Sequence, residues 1–243
     1  MLAGSSLSPR TCTTSKGFHV ERPVGKHLDW LTREAWEAFG LELPAEAGRR
    51  LELFADELLR WNRRFNLTSI TDPAGVAEKH LLDSLAIVRR VPAGAEVLDA
   101  GTGGGFPGVP LAILRPDVRV LLVDRTEKKV LFLKTALARL DLPNARAAHA
   151  RLEGDPVAEA LPVVDLAVSR AFVAPEEWLR FGAAYVRPGG RVVAMLGAEE
   201  PAEVIARSGL PADEFVESAS YRLPSGDRRG LVIRVVRGSD LVK

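Results

Sequence analysis

A chain of 243 residues with 47% hydrophobic and 27% charged side chains can bury one sizeable core with a helical appendage, and it is too apolar to be disordered throughout. Its formal net charge of +1 excludes a global basic field, so any contact with nucleic acid has to come from a local patch. The lone Cys12 excludes an internal disulfide framework and a multi-cysteine metal site. No apolar run reaches the ~20 residues of a membrane-spanning helix, which predicts a cytoplasmic protein without membrane contact.

In chain order, residues 1–25 are rich in Ser and Thr, carry Arg10 and Lys16, and have no acid before Glu21. They read as a disordered extension, with an organellar transit segment as the alternative. Residues 26–92 have helical period and read as a cap. "HLDWLTREAWEAFG" ends at Gly40, a C-terminal cap. In "LELFADELLRWNRRFNL" the apolar Leu51, Phe54, Leu58, Trp61 and Phe65 recur at three- and four-residue steps, one face of an amphipathic helix. Asn66 reads as a cap or turn residue. "AGVAEKHLLDSLAIVRR" is expected to be a third helix with His80 and Asp83 on one face. That pair reads either as a cofactor or RNA contact or as a hydrogen bond from helix to domain.

From 93 to 243, short β-rich runs such as "EVLDAG", "VRVLLVD", "VVDLAVSRA" and "RVVAMLG" alternate with helical segments, which implies a parallel sheet with crossover helices. "FVESASYRL" and "LVIRVVR" are joined by "PSGDRRG", too short for a parallel crossover, so they must pair antiparallel. The predicted fold is α/β and Rossmann-like. Its mostly parallel seven-stranded sheet, finished by an antiparallel hairpin, is the arrangement of class I methyltransferases.

The loop after the first strand, "DAGTGGGFPG", contains Gly103, Gly105 and Gly108 at G-x-G-x-x-G spacing, which admits both a nicotinamide dinucleotide and S-adenosylmethionine. Pro107 removes an N–H from the start of the next helix, and Phe106 brings an apolar ring to where pyrophosphate would bind. A cofactor without phosphates suits such a loop better. S-adenosylmethionine ends in a zwitterion, which the backbone around Gly101, Gly103 and Gly105, with Asp99 for the amine, could satisfy. Asp124, ending the second strand, is placed to accept ribose hydroxyls, or else to cap the following helix.

"RWNRRFNLTSI", "HLLDSL", "DAGTGGGFPGVPLAI", "EKKVLFLK" and "SRAF", in that order, resemble the RsmG (GidB) family of bacterial small-subunit ribosomal RNA guanine-N7 methyltransferases, from about Trp30 to the C-terminus. The resemblance implies methyl transfer from S-adenosylmethionine, leaving S-adenosylhomocysteine, to N7 of one guanine in the decoding-region loop of 16S ribosomal RNA. It implies cofactor contacts at Gly101 and Phe106, and an adenine flanked by Leu152 and Glu153, although the family often has Ala or Val at the first of these. Arg170 of "SRAF" matches a binding-site arginine that could orient the guanine or hold phosphate; the alternative is a structural ion pair with Asp165 or Glu153. The family's lysine before the glycine after strand five is replaced here by Leu196.

Guanine N7 offers a lone pair, so neither a general base nor a metal is expected. The candidate RNA surface joins Arg60, Arg63 and Arg64 to Arg125, Lys128, Lys129 and Lys134, with Arg228 and Arg229 added by the hairpin. The expected partner is 16S ribosomal RNA or the small ribosomal subunit, bound by a monomer without an obligate protein partner. Three other functions remain open: a non-catalytic RNA-binding assembly factor on the same fold, an NAD-dependent oxidoreductase, and a small-molecule methyltransferase.

Overall fold

The computed structural model describes residues 27–238; the expected N-terminal extension, with Cys12, lies outside them. Helix α1 (Leu28–Phe39) stops where Gly40 takes a left-handed φ of 61° and donates its N–H to Trp36 O at 2.8 Å. Helix α2 (Ala45–Phe65) starts behind Pro44, earlier than its run of large apolar residues, and its first turn already buries the small Ala47 and Gly48. Its inner stripe of Leu51, Phe54 and Leu58 is fully buried, each side chain contributing about 2 kcal/mol on area grounds. Asn66 closes it in the left-handed region. Behind it the Asn62 amide both donates to Thr68 O and accepts from Thr68 N, at 2.9 Å each.

The expected third helix is not one regular helix. One turn, α3 (Pro73–Gly75), capped by Asp72, widens into a π-helix over Val76–Leu82 and tightens into a 3-10 helix over Leu85–Arg90. Val76, Ala77, Leu81, Leu82, Leu85, Ala86, Ile87 and Val88 are all buried. They are too densely spaced for the single stripe of a regular helix, and the changing winding lets them all face inward.

The remaining strands and helices are β1 (Glu96–Ala100), α4 (Gly108–Leu114), β2 (Arg119–Asp124), α5 (Glu127–Arg139), β3 (Ala145–His149), β4 (Val164–Arg170), α6 (Pro175–Phe181), β5 (Val186–Leu196), α7 (Pro201–Ser208), β6 (Phe215–Arg222) and β7 (Arg228–Val235). They build one seven-stranded sheet in the order β3-β2-β1-β4-β5-β7-β6. The first five strands are parallel, whereas β7 runs antiparallel to both β5 and β6. Alternate residues divide between two cores. Val97, Leu122, Val168 and Val193 face α2, α4, α5 and the cap, while Leu98, Val123, Ala167 and Val192 face α6 and α7. Strand order reverses between β1 and β4, so a crevice opens beyond their carboxyl ends.

Candidate active site

The glycine loop is anchored before it can bind anything. Thr102 N donates to Val123 O at 3.0 Å, and the Gly105 and Phe106 amides both return to Thr102 O. Asp99 lies beneath this loop, fully buried. Its Oδ2 accepts from Thr102 Oγ1 at 2.6 Å and from Gly108 N at 2.8 Å, while its Oδ1 is buried without a partner. Burial pushes its pKa up to about 7, against the opposing pull of those two hydrogen bonds. The sequence places Asp99 toward the cofactor amine; the structure seals it under the loop instead, because Thr102 and Gly108 close over it. The same bond takes the Gly108 N–H away from any ligand, and Pro107 has none to give, so the start of α4 is poor for pyrophosphate.

Above the loop, at the ends of β1, β2 and β4, lies a cleft of about 630 Å³ whose walls include Gly101, Asp124, Arg125, Lys129, Leu152, Glu153 and Phe172. Gly101 has φ 64°, and a Cβ there would stand 2.3 Å from the Phe172 ring, so only glycine lets this ring close over the strand end. Asp124 accepts from Gly103 N at 3.0 Å and Thr126 N at 2.8 Å, one oxygen each; Lys129 Nζ stands 3.8 Å away. Each oxygen retains a lone pair for a further donor. The opposite wall, Leu152 to Asp155, is clamped from behind. Glu159 Oε1 accepts from Glu153 N at 2.7 Å and Asp155 N at 3.2 Å, while the Tyr185 hydroxyl accepts from Gly154 N at 2.7 Å and donates to Glu159. Sequence reasoning missed Tyr185, Glu159 and Phe172; the last was visible in "SRAF" but read only as part of a motif.

Of the expected cofactor residues, Gly101, Asp124, Leu152 and Glu153 line this cleft, and Gly103 meets it through Asp124. Gly105 and Phe106 are buried beneath it. A Cβ on Gly105 would come within 2.9 Å of Phe54, and the Phe106 ring packs on Phe54 at 5.2 Å. They shape the loop from its core side because the apolar ring is drawn inward.

Arg170 also faces away from this cleft. Ala171 holds φ 54°, a conformation that costs a non-glycine residue about 1 kcal/mol or more. Phe172 there packs on the first cleft, and Arg170 opens onto a second of about 340 Å³. Its Nη1 donates to Asp83 Oδ2 at 2.9 Å and Lys79 O at 3.0 Å, so the partner is neither Asp165 nor Glu153 but the cap. Arg170 Nη2 donates to His80 Nδ1 at 3.0 Å. A guanidinium can only donate, so His80 carries its proton on Nε2 and donates to Thr68 Oγ1 at 2.8 Å. Burial, with the Arg170 charge, pulls the His80 pKa down to about 3. Its ring stacks on Phe106 at 4.5 Å, joining the cap to the glycine loop. Asp83 Oδ1 also accepts from the Tyr221 hydroxyl at 2.8 Å.

The basic candidates fall into two groups. Arg63, Arg64, Arg125, Lys128 and Lys134 are exposed on α2, on α5 and between β2 and α5. The two helices are packed together through Trp61 and Phe132 at 5.7 Å. Leu131, 56% exposed, lies between the two lysines. Arg60 instead pairs with Glu57, Lys129 turns to Asp124, Arg228 pairs with Glu200, and Arg229 lies 3.7 Å from Asp83. Among the described residues no helix is long and apolar enough to cross a membrane.

The strand order, the reversed last hairpin and the cleft at the switch point define a class I methyltransferase fold. The O-methyltransferase from Bacillus cereus in complex with SAH superposes with a TM-score of 0.54 at 16% identity, over 86% of this chain and 99% of that one. A SAM-dependent methyltransferase from Aquifex aeolicus gives 0.52 at 17%, over 70% and 97%. Residues 48–229 match the family model GidB, rRNA small subunit methyltransferase G. The ribosomal RNA small subunit methyltransferase G of Myxococcus xanthus (strain DK1622) is 46% identical over 198 residues, covering 81% of this chain and 91% of the relative. That of Anaeromyxobacter sp. (strain Fw109-5) is 49% identical over 191 residues, covering 77% and 87%. The chain belongs to the rRNA small subunit methyltransferase G family.

Proposed function

We propose that this protein transfers the methyl group of S-adenosylmethionine to N7 of one guanine in the decoding-region loop of 16S ribosomal RNA, acting as a cytoplasmic monomer. The observation that carries the reading is the Asp124 cleft, in a chain of this family. A carboxylate with open lone pairs stands at the end of β2 beside a glycine-lined strand end, and a clamped wall faces it. Asp124 would hold the ribose, Leu152 and Glu153 would flank the adenine, and the Gly101–Gly103 backbone would meet the methionine end. Bound there, the cofactor supplies an electrophilic sulfonium methyl.

The protein's own part follows from the acceptor. N7 carries a lone pair and no proton in guanine, so no residue has to remove one. His80 is neutral with both nitrogens engaged, and Asp99 is enclosed, so neither is placed to exchange a proton with a bound base. What the chain supplies is alignment and exclusion of water, and alignment alone reaches effective molarities of ~10⁵ M in well-oriented reactions. RNA would be held by Arg63, Arg64, Arg125, Lys128 and Lys134, which are exposed and form no ion pair among the described residues.

The test is incubation with methyl-labelled S-adenosylmethionine and small ribosomal subunits from a strain lacking this activity, followed by nucleoside analysis. Label in 7-methylguanosine at one site is expected. No label, from protein that binds S-adenosylhomocysteine, would remove the ribosomal reading.

A further inference from the structure

The second cleft is a compartment with its own chemistry. It adjoins the first, sharing Ala171 and Val173 as wall. Ile70, Pro175 and Met195 give it apolar sides, suited to the faces of a planar base. Lys79, His80, Asp83 and Arg229 also line it, already engaged with Asp227, Thr68, Arg170 and one another, and three polar groups keep capacity to spare. Arg170 spends both Nη1 hydrogens and one on Nη2 on the cap, which leaves Nε–H and one Nη2 hydrogen. The Ser169 hydroxyl has no partner among the described residues. Glu199, exposed and without an ion pair among the described residues, folds its carboxylate back over the end of β5, where a Cβ on Gly197 would come 3.1 Å from Glu199 Oε2. The cleft therefore offers donors on the side of β4 and a carboxylate acceptor just past the end of β5.

That order matches one base. Guanine carries acceptors N7 and O6 on one edge and donors N1–H and N2–H₂ around the other, whereas adenine presents an amino donor in place of O6 and an acceptor at N1. Adenine would set donor against Arg170 and lone pair against Glu199. We propose that the second cleft receives a single unstacked guanine, with Arg170 and Ser169 donating to O6 and Glu199 accepting from N1–H and N2–H₂. This rests on the methyltransferase reading and adds the residue that selects the base. The edge bearing N7 then faces the wall shared with the first cleft. A base reaches such a compartment only when it is out of its stack.

The test pairs one residue with one atom of the substrate. Small subunits are reconstituted with guanosine or inosine, which lacks the 2-amino group, at the methylated position, and each is offered to the wild type and to Glu199→Ala. The wild type should favour guanosine by about tenfold or more, the loss expected when a charged acceptor is left without its donor. Glu199→Ala should lose that preference and methylate guanosine more slowly, with S-adenosylhomocysteine affinity unchanged. A loss of folding would reduce both substrates equally and weaken cofactor binding, so it cannot imitate this result. Equal guanosine-to-inosine ratios in the two proteins, or no preference in the wild type, would overturn the Glu199 assignment. Failure of the wild type to form any 7-methylguanosine would overturn the methyltransferase reading itself.

Discussion

Arg170 on β4 donates to Asp83 of the cap at 2.9 Å, while Arg229 of the last hairpin stands farther from the same carboxylate, at 3.7 Å. The carboxylate also serves Tyr221, so its removal leaves a guanidinium and a phenol short of an acceptor in a mostly enclosed site. Breaking a buried pair from one side costs about 3 kcal/mol. Asp83→Ala should therefore lower Tm by roughly 6–12 °C for a domain of this size, read by thermal denaturation; a change within about 2 °C would show that the pair contributes little.

Stability between pH 5 and 7 is set by two groups acting in opposite directions. Asp99 titrates near 7 in the folded chain and at about 3.9 when unfolded, so the folded state holds the extra proton and stability falls as pH rises toward 7. His80 titrates near 3 when folded and about 6.5 when unfolded, so there the unfolded state holds the extra proton and stability rises with pH up to about 6.5. The two slopes offset each other in the wild type. Asp99→Asn should expose the His80 slope, with denaturant midpoints increasing from pH 5 to 6.5. A flat profile in that variant would show that the histidine is not held neutral. The surface carboxylates lowered by hydrogen bonds, Glu96 by Arg187 and Asp165 by the Glu96 N–H, act only below this window.

The clamp behind Leu152 and Glu153 predicts an effect on cofactor affinity without an effect on chemistry. Tyr185→Phe removes the acceptor for Gly154 N and the donor to Glu159, and should weaken S-adenosylhomocysteine binding about tenfold, measured by calorimetry, with the maximal rate at saturating cofactor unchanged. Asp124→Ala should weaken it by about 10- to 100-fold, since it loses a charged acceptor together with the bond to Gly103. If both variants bind as the wild type does, the cofactor does not occupy this cleft.

Charge reversal at Lys128 and Lys134 should lower RNA methylation while leaving S-adenosylhomocysteine affinity intact. Each lost phosphate contact also reduces the slope of log affinity against log salt by about 1. Unchanged activity and salt slope would take α5 out of the RNA surface.

The sheet was legible because its strands are short apolar runs punctuated by glycine and proline, and because "PSGDRRG" leaves room only for a hairpin. Gly101 and Asp124 were legible from their place at strand ends. The winding of residues 76–90 was not, since a dense apolar run reads as one helix until tertiary packing decides how it turns. Asp99 is adjacent to the right loop, but its enclosure depends on Thr102 and Gly108 folding across it. The Tyr185–Glu159 bond joins residues 26 positions apart, with no periodicity to signal it. For Arg170 the sequence offers Asp165 or Glu153 as an ion-pair partner, whereas the partner in the structure comes from the cap, 87 positions earlier, where no local pattern signals it.

The last hairpin brings Tyr221 and Arg229 to Asp83, a residue laid down before any strand of the sheet. The cap is thereby fastened by the final segment of the fold to be synthesised, and a chain still lacking β6 and β7 would leave Asp83 with Arg170 alone. Cap and sheet consequently share their fate on denaturation, and the described residues should melt in one cooperative transition, without a stage in which the cap has come away from an intact sheet.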